Sequence, residues 1–302
     1  MRESSPTLDV SVLLPWAEEN LRPLPWRSVR DGWSILVSEV MSPPTQVSRV
    51  IPKWHAFLDR WPTPLACAHA ELSEVLGLWQ GLGYPRRARA LHECAKILAA
   101  RYDGRLPQEL DQLLRFPGIG PYTARAIAAF AFEAEVGVVD TNGGRVLARL
   151  VNRRLSASEA QALADELVPA SHSWLHNQAM IEVGATLCRS VPSCSPCPFV
   201  GICEFHLAAV ATADRRGAGS AEDPAVGSAM VSGRQSAFAD SDRQFRGKIL
   251  AALAQRPFVH DGLRARIGLD ADPDRFGRLV SDLILERLVS ESGSPRTVVL
   301  GS

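Results

Sequence analysis

Apolar residues recur at helical spacing in several stretches of this 302-residue chain. Side chains three and four positions apart share one face of an α-helix, so the pattern predicts helices over Trp33–Met41, Ala124–Phe132, Asp242–Ala254 and Asp274–Leu288. Arg296–Leu300 instead reads as a short strand. We therefore expect a mainly α-helical fold.

The charge balance leaves no strong overall field. The chain has 33 basic and 33 acidic residues, so any surface that attracts nucleic acid must be local. No apolar run is long enough to span a bilayer, and nothing at the N-terminus reads as a secretory signal. We therefore expect the protein in a reducing cytosol, where its six cysteines stay out of disulfides.

The segment Phe116–Ala124 reads FPGIGPYTA and joins two helical stretches. The glycines Gly118 and Gly120 let backbone N–H groups approach a phosphate closely, and the N-terminus of the following helix adds partial positive charge. Thr123 can cap that helix. The segment is typical of a helix-hairpin-helix, which binds a nucleic-acid backbone without reading its sequence. An ordinary turn between two helices is the alternative.

Four of the six cysteines lie within sixteen residues: Cys188, Cys194, Cys197 and Cys203. Four thiolates suit either a zinc ion or a [4Fe-4S] cluster. Structural zinc sites usually join two close pairs from separate segments, whereas one close pair is flanked here by single cysteines, and this spacing favours the cluster. Cys94 shares an apolar helical register with Leu91 and Leu98 and is expected to be an inert core residue.

Two carboxylates end or interrupt apolar runs. Glu39 falls beside Ile35 and Leu36 on an apolar helix surface, where burial would raise its pKa. Asp140 ends the run before a helix that we expect to begin near Arg145, and it could simply cap that helix. A solvated Glu39 and a capping Asp140 are the simpler interpretations. Cleavage of a glycosidic bond, however, needs one acid and one anion of this kind.

These residues resemble the MutY-type adenine DNA glycosylases of the endonuclease III superfamily. The resemblance covers roughly residues 14–205. The motifs that carry it are LPW at Leu24–Trp26, SEVM around Glu39, LWQGLGY ending at Tyr84, FPGIGPYTA, VVDTN at Asp140, NQAMIEVGA from Asn177 and the four cysteines. It implies a two-lobed helix-hairpin-helix glycosylase fold, with DNA and an extruded base in a cleft between mostly helical lobes.

The resemblance also implies catalytic roles. Glu39 would protonate adenine N7, and Asp140 would stabilise the positive sugar. Asn142 would orient that carboxylate, and Tyr122 would hydrogen-bond to the acidic pair. Bifunctional relatives have a lysine that forms a Schiff base at the position of Tyr122, and a phenol cannot form one. The expected reaction is hydrolytic, monofunctional removal of adenine mispaired with 8-oxoguanine or guanine.

Further positions receive binding roles from the same resemblance. Trp26, Arg27 and Gln178 would bind the base, and Tyr84 would wedge into the duplex beside the orphaned base. Backbone groups of Gly118 and Gly120 and the side chains of Arg86 and Arg145 would contact DNA. Cys188, Cys194, Cys197 and Cys203 would hold the [4Fe-4S] cluster. The expected partner of this monomer is double-stranded DNA with a mispaired adenine, at the bacterial nucleoid in the cytoplasm.

The domain organisation follows from the resemblance and from a change in composition. Residues 1–205 would form the glycosylase domain, with a helical barrel at about 28–135 and an iron-sulfur lobe made from the N-terminal segment and 136–205. Residues 206–238, rich in Ala, Gly and Ser, would be a flexible linker. Residues 239–302 would be a winged-helix-like module that contacts DNA or a partner, or only packs on the catalytic region.

The chain departs from the family pattern at three points. Pro43 and Pro44 stand where the family usually has paired glutamines that fill the gap left by the extruded base. The interval from Cys188 to Cys194 is one residue shorter than usual, and no Nudix-like C-terminal domain follows. The alternatives are therefore a glycosylase for another mispaired or damaged base, and a non-catalytic DNA-binding iron-sulfur protein.

Overall fold

The computed structural model describes residues 8–42, 45–213, 222–228 and 238–301. Most of these residues are in α-helices, which confirms the mainly α-helical fold. Packing divides the chain into a first unit, Met1–Arg30 with Pro121–Arg234, and a second unit, Asp31–Gly120 with Gln235–Ser302. Each unit thus joins segments that are distant in sequence. Pro43 and Pro44 lie outside the described residues.

In its described residues the first unit contains helices joined by loops and no strand. Its elements are α1 (Leu13–Asn20), a 3₁₀ helix (Pro25–Ser28), α8 (Pro121–Phe132), α9 (Thr141–Leu150), α10 (Ala157–Leu167), α11 (Ser173–Thr186) and α12 (Glu204–Ala213). Helix α8 begins three residues before the predicted start at Ala124, so the expectation that Thr123 caps it was wrong. Proline suits the first turn of a helix because its missing N–H would have had no partner there.

The core of the first unit lies around α9 and α11. Both helices contribute fully buried residues, among them Leu147 and Val183, and α1 adds Leu13. The two helices approach closely at Gly184, where a Cβ atom would lie 2.6–2.7 Å from Asn142. Only glycine permits this approach without a shift of the backbone. It brings the start of α9 against the last turn of α11.

A short segment at 222–228 packs on the first unit, although it lies in the stretch predicted to be a flexible linker. Ala225 and Ser228 are buried, and the Ser228 hydroxyl accepts a hydrogen bond from the Leu155 backbone N–H at 3.1 Å. Asp223 pairs with buried Arg149. We call residues 222–228 the strap. Helix α12 also extends to Ala213, inside the predicted linker.

The second unit contains a group of helices followed by the C-terminal module. The helices are α2 (Gly32–Met41), α3 (Val47–Arg60), α4 (Pro64–Ala68), α5 (Leu72–Trp79), α6 (Arg86–Arg101) and α7 (Leu110–Leu113). The core side of α2 is apolar, with Leu36 and Val37 fully buried. Cys94 on α6 is buried too, and burial raises the pKa of its thiol to about 12, so it is an unreactive core residue as expected.

The C-terminal module contains helices and a three-stranded antiparallel sheet. In chain order its elements are α13 (Asp242–Leu253), β1 (Phe258–Val259), α14 (His260–Ile267), α15 (Pro273–Leu285), β2 (Val289–Ser292) and β3 (Thr297–Leu300). The strand order is β1-β3-β2, with Phe258 opposite Val298 and Val289 opposite Leu300. This order of helices and strands is compatible with the predicted winged-helix-like module, which stays a prediction. The sequence predicted β3 but neither β1 nor β2.

None of the described helices combines the length and the apolar character needed to cross a membrane.

Candidate active site

Glu39 lies on the last turn of α2. The helix is capped at its start by Asp31, whose side chain accepts a hydrogen bond from the Ser34 N–H at 2.8 Å. The residues around Glu39 are buried, including Ser38 and Val40, whereas Glu39 itself is half-buried. The carboxyl group is therefore at the margin of an apolar helix face.

Asp140 is the N-cap of α9, which begins at Thr141 and not near Arg145 as predicted. Its Oδ1 accepts hydrogen bonds from the Asn142 N–H at 2.9 Å and the Gly143 N–H at 2.7 Å, and its Oδ2 accepts one from the Asn142 side-chain amide at 2.8 Å. Burial raises the pKa of Asp140, and these donors oppose the rise. The hydrogen bonds that cap α9 are therefore the same ones that hold the Asp140 carboxylate in place.

The Asn142 side chain also contacts Arg145. Arg145 donates from Nη2 to Asn142 Oδ1 at 2.9 Å and to the Gly184 carbonyl at 2.8 Å, and from Nε to the Cys188 carbonyl at 2.6 Å. These bonds tie the start of α9 to the end of α11 and to the first cysteine. Arg145, predicted to contact phosphate, therefore has an internal positioning role that the sequence did not indicate.

The predicted base-binding residues of the first unit meet at α11. Arg27, buried in the 3₁₀ helix, donates from Nε to Gln178 Oε1 and from Nη2 to Glu182 Oε2, each at 2.7 Å. Since Gln178 uses its oxygen for Arg27, its N–H groups are the ones left for a ligand. Trp26, which precedes Arg27 in the sequence, is also buried. The structure thus brings Arg27 and Gln178 together, and their binding of a base stays a prediction.

Glu182 completes this cluster and was not predicted. Its side chain has no exposed surface and accepts hydrogen bonds from Arg27 and Arg22. Burial alone would raise the pKa of Glu182, but the two guanidinium groups outweigh burial and hold it below its ordinary value. The available signal was its position four residues after Gln178, on the same helix face.

The predicted DNA contacts of the second unit lie on loops and at a helix start. Tyr84 is 43% exposed and has a positive φ of 50°, a conformation that costs a non-glycine residue energy. Arg86 is largely exposed and forms a 3.1 Å ion pair with Glu286 of the C-terminal module. Gly118 has φ +78°, and a Cβ there would lie 2.7 Å from Ala90, whereas a Cβ at Gly120 would meet nothing within 4 Å.

Tyr122, the remaining predicted catalytic residue, lies in the first turn of α8 and is half-buried. Its bond to the acidic pair stays a prediction.

The four clustered cysteines line one small cavity together with Arg149 and Phe205. Among the residues that the structure describes, no three His, Cys, Asp or Glu side chains converge closely enough to hold a single metal ion. The four cysteines nevertheless share one cavity, which is the observation that bears on a common ligand. Cysteine-only ligation suits iron-sulfur chemistry.

Arg149 is the buried cation beside these cysteines. It donates to Cys188 Sγ at 3.3 Å, to the Arg189 carbonyl at 2.6 Å and to the Ser190 carbonyl at 3.3 Å, and it pairs with both Asp223 carboxylate oxygens at 3.1 and 2.5 Å. The strap therefore reaches the cysteine loop through one guanidinium. Composition alone gave no signal for this contact.

A helical fold with a glycine hairpin, a half-buried aspartate at a helix N-terminus and a loop of four cysteines is typical of the helix-hairpin-helix class of DNA-repair proteins. Residues 37–170 match the family described as "HhH-GPD superfamily base excision DNA repair protein". A solved structure of a thermostable thymine-DNA glycosylase superposes with a TM-score of 0.60 at 26% identity, covering 66% of this chain and 94% of that one.

Two mycobacterial proteins align with nearly the whole chain. The adenine DNA glycosylase of Mycolicibacterium smegmatis is 40% identical over 299 residues, which are 96% of this chain and 95% of that protein. The adenine DNA glycosylase of Mycobacterium tuberculosis is 35% identical over 300 residues, with 96% and 92% covered. The chain therefore belongs to the adenine DNA glycosylase family within the HhH-GPD superfamily.

Proposed function

We propose that this protein is a base-excision-repair enzyme that hydrolyses the N-glycosidic bond of adenine mispaired with 8-oxoguanine or guanine in double-stranded DNA. The observation that carries the proposal is the 40% identity to an adenine DNA glycosylase over 95% of that protein's length. Such an alignment includes the C-terminal module as well as the catalytic region.

The geometry around Asp140 supports the proposal. Departure of adenine leaves positive charge on the deoxyribose, which a nearby carboxylate stabilises best where water is scarce. Three N–H groups and Arg145 favour the ionised form of Asp140 despite its burial. Glu39, at the edge of an apolar helix face, would supply the proton to the leaving base. Gln178 would donate from its amide to a nitrogen acceptor of adenine, because its oxygen is bound to Arg27.

Single-turnover assays test the reaction. Duplexes with adenine opposite 8-oxoguanine, guanine or thymine, and a duplex with a G·T mismatch, are incubated with enzyme and then treated with alkali. We expect cleavage at adenine, and losses of about 100-fold or more in Glu39→Gln and Asp140→Asn. Glu19→Gln, an exposed substitution on α1, is the matched control. Removal of thymine but not adenine would favour the other-base alternative, which the thymine-DNA glycosylase neighbour motivates.

The reaction is proposed to be monofunctional. With Tyr122 in the hairpin position, this position supplies no amine that could form a Schiff base with the sugar. Strand breaks should appear only after alkali, and borohydride should trap no protein on DNA. Trapping of the wild-type protein would contradict this part of the proposal.

Cys188, Cys194, Cys197 and Cys203 are proposed to hold a [4Fe-4S] cluster. When bound, the cluster would cross-link its loop to the first unit and could exchange one electron. The N–H of Arg149 at Cys188 Sγ would stabilise the thiolate form of that ligand. Absorbance near about 410 nm and iron analysis test the assignment. A colourless protein with stoichiometric zinc would refute it.

A further inference from the structure

One guanidinium connects the loop that carries Tyr84 with the helix that carries Glu39. Arg87, near the start of α6, donates from Nη1 to the carbonyl oxygen of Val40 at 2.5 Å, and Val40 directly follows Glu39. The guanidinium carbon of Arg87 also lies 5.4 Å from the ring centre of Tyr84 and 5.8 Å from that of Trp79. A single planar cation therefore contacts both elements.

The Val40 carbonyl is in the last turn of α2, where backbone carbonyls have no partner within the helix. A cation at this end satisfies the carbonyl and complements the negative end of the helix dipole. Arg87 thus acts as a side-chain cap for the turn that contains Glu39. The position of Glu39 depends on where this guanidinium lies.

The Tyr84 loop is tied to the same cation by a hydroxyl group. Thr45 donates from Oγ1 to the Leu82 carbonyl at 2.9 Å and accepts a hydrogen bond from Arg87 Nη2 at 3.3 Å. Tyr84 itself has a strained positive φ and keeps 43% of its surface exposed. Its ring is therefore held toward solvent by a fixed backbone and by Arg87, not by burial in a core.

We infer that Arg87 is a positioning residue that couples the probing of the opposite base by Tyr84 to the placement of Glu39. The inference rests on the proposed adenine glycosylase function and makes it more specific. When the Tyr84 ring shifts on entering the duplex, the Arg87 guanidinium that lies against it shifts too. The Val40 carbonyl, which is hydrogen-bonded to that guanidinium, then moves with it. The identity of the opposite base is then expressed in the rate of bond cleavage, and not only in DNA affinity.

Arginine suits this role better than lysine. A planar guanidinium can donate in its own plane while its face lies against an aromatic ring, whereas an ammonium is a point charge. Burial lowers the pKa of Arg87 to about 10, with Tyr84 acting in the opposite direction, so the side chain remains charged at neutral pH.

A double-mutant cycle with Arg87→Lys and Tyr84→Ala tests the coupling. Rates of adenine release are measured at saturating enzyme with 8-oxoguanine or guanine opposite, and affinities are measured with a non-cleavable adenine analogue. We expect Arg87→Lys to slow release by about tenfold with the preferred opposite base and to change Kd by about twofold or less. In the Tyr84→Ala background, the same substitution should slow release by only about twofold.

Arg101→Lys, at the exposed end of α6, is the matched control and should behave as wild type. Thr45→Ala weakens the same connection while Arg87 stays in place. The inference therefore remains testable even if the Arg87→Lys protein is unstable. Thr45→Ala should also slow release, and again less in the Tyr84→Ala background. Equal losses in both backgrounds, or a loss confined to Kd, would overturn the inference. A folded wild-type protein that releases no adenine would instead overturn the proposed function.

Discussion

Two opposing effects act on the pKa of Asp140. Burial favours its neutral form, whereas the N–H groups of Asn142 and Gly143 favour the carboxylate. Hydrogen bonds to a charged group are each worth about 1.5–3 kcal/mol, so the loss of one donor is enough to change its ionisation. The acid-base behaviour of the enzyme should therefore depend on Asn142.

The first prediction concerns this pH dependence. In the proposed mechanism Asp140 is ionised when it stabilises the sugar cation, so the cleavage rate should fall as the pH drops through its raised pKa. Asn142→Ala removes a donor that lowers this pKa, and the acidic limb should move to higher pH, with a loss of about tenfold within the limb. Single-turnover rates across the pH range measure it, with Asn20→Ala on α1 as control. An unmoved limb would show that the Asn142 amide does not support the carboxylate.

The second prediction concerns the buried carboxylate of Glu182. Glu182→Gln leaves Arg27 charged, buried and without its anion, which should cost about 3 kcal/mol of unfolding free energy at neutral pH. The pKa of Glu182 is depressed in the folded state, so its contribution is present above its unfolded pKa and is lost as pH falls through the folded value.

Chemical denaturation of Glu182→Gln and wild type at neutral and acidic pH tests whether the contribution of Glu182 to the unfolding free energy is lost in acid. The difference from wild type should shrink in acid, and exposed Glu18→Gln should show no difference at either pH. A deficit that stays constant with pH would mean that packing, not charge, causes it.

At the scale of single residues, the sequence located side chains whose chemistry is unusual for their surroundings. Three of them are held in hydrogen-bonded clusters of side chains: Asp140 with Asn142, and Arg27 with Gln178. Glu182 and Asp223 were not identified. Spacing from Gln178 could have indicated Glu182, but Asp223 pairs with Arg149, which lies 74 residues away in the sequence, and spacing along one helix gives no signal for such a contact.

At the scale of elements, the glycine hairpin allows the third prediction. Gly118→Ala would place a methyl group 2.7 Å from Ala90 at a backbone angle that disfavours side chains. It should lower stability by about 1–3 kcal/mol and weaken DNA binding. Gly120→Ala, which meets nothing within 4 Å and has no positive φ, is the matched control. Thermal unfolding and DNA titration of both variants measure the contrast, and equal effects would contradict it.

Helices with long apolar periodicity were predicted well, whereas short elements were not. Helix α13 ends one residue before its predicted end, but β1 has only two residues and β2 carries alternate polar side chains. Strands of this length are specified by pairing with β3, which composition does not reveal. The start of α9 at Thr141 was also placed too late, near Arg145, because Gly143 and Gly144 obscure helical periodicity.

At the scale of the whole molecule, the strap allows the fourth prediction. Asp223→Ala leaves the Arg149 guanidinium buried beside the cysteine loop without its carboxylate partner. We expect a loss of about 2–4 kcal/mol in stability and faster loss of visible absorbance on exposure to a chelator.

Glu222→Gln is a matched control from the same segment. Its ion pair with Arg154 is mostly exposed, and such pairs contribute at most about 1 kcal/mol. Parallel melting curves and absorbance decays should therefore separate the two neighbours. Equal behaviour of the two variants would show that the strap does not support the cysteine loop.

Amino-acid composition did not indicate which residues of the predicted linker are structured. The stretch 206–238 lacks periodicity, yet residues within it form the end of α12 and the strap. A few small residues and one carboxylate fix the strap through bonds to distant partners, and such bonds leave no compositional trace.

The pairing of Glu182 with Arg22 and Arg27 also bears on synthesis at the ribosome. Residues in the described part of the N-terminal segment, such as Arg27, pack with segments made some 150 residues later, so they leave the exit tunnel before their partners exist. At about 5–20 residues per second, this delay lasts roughly 8–30 seconds. During this interval Trp26 and Leu13 have no native core, so the nascent segment exposes apolar side chains that the folded protein buries.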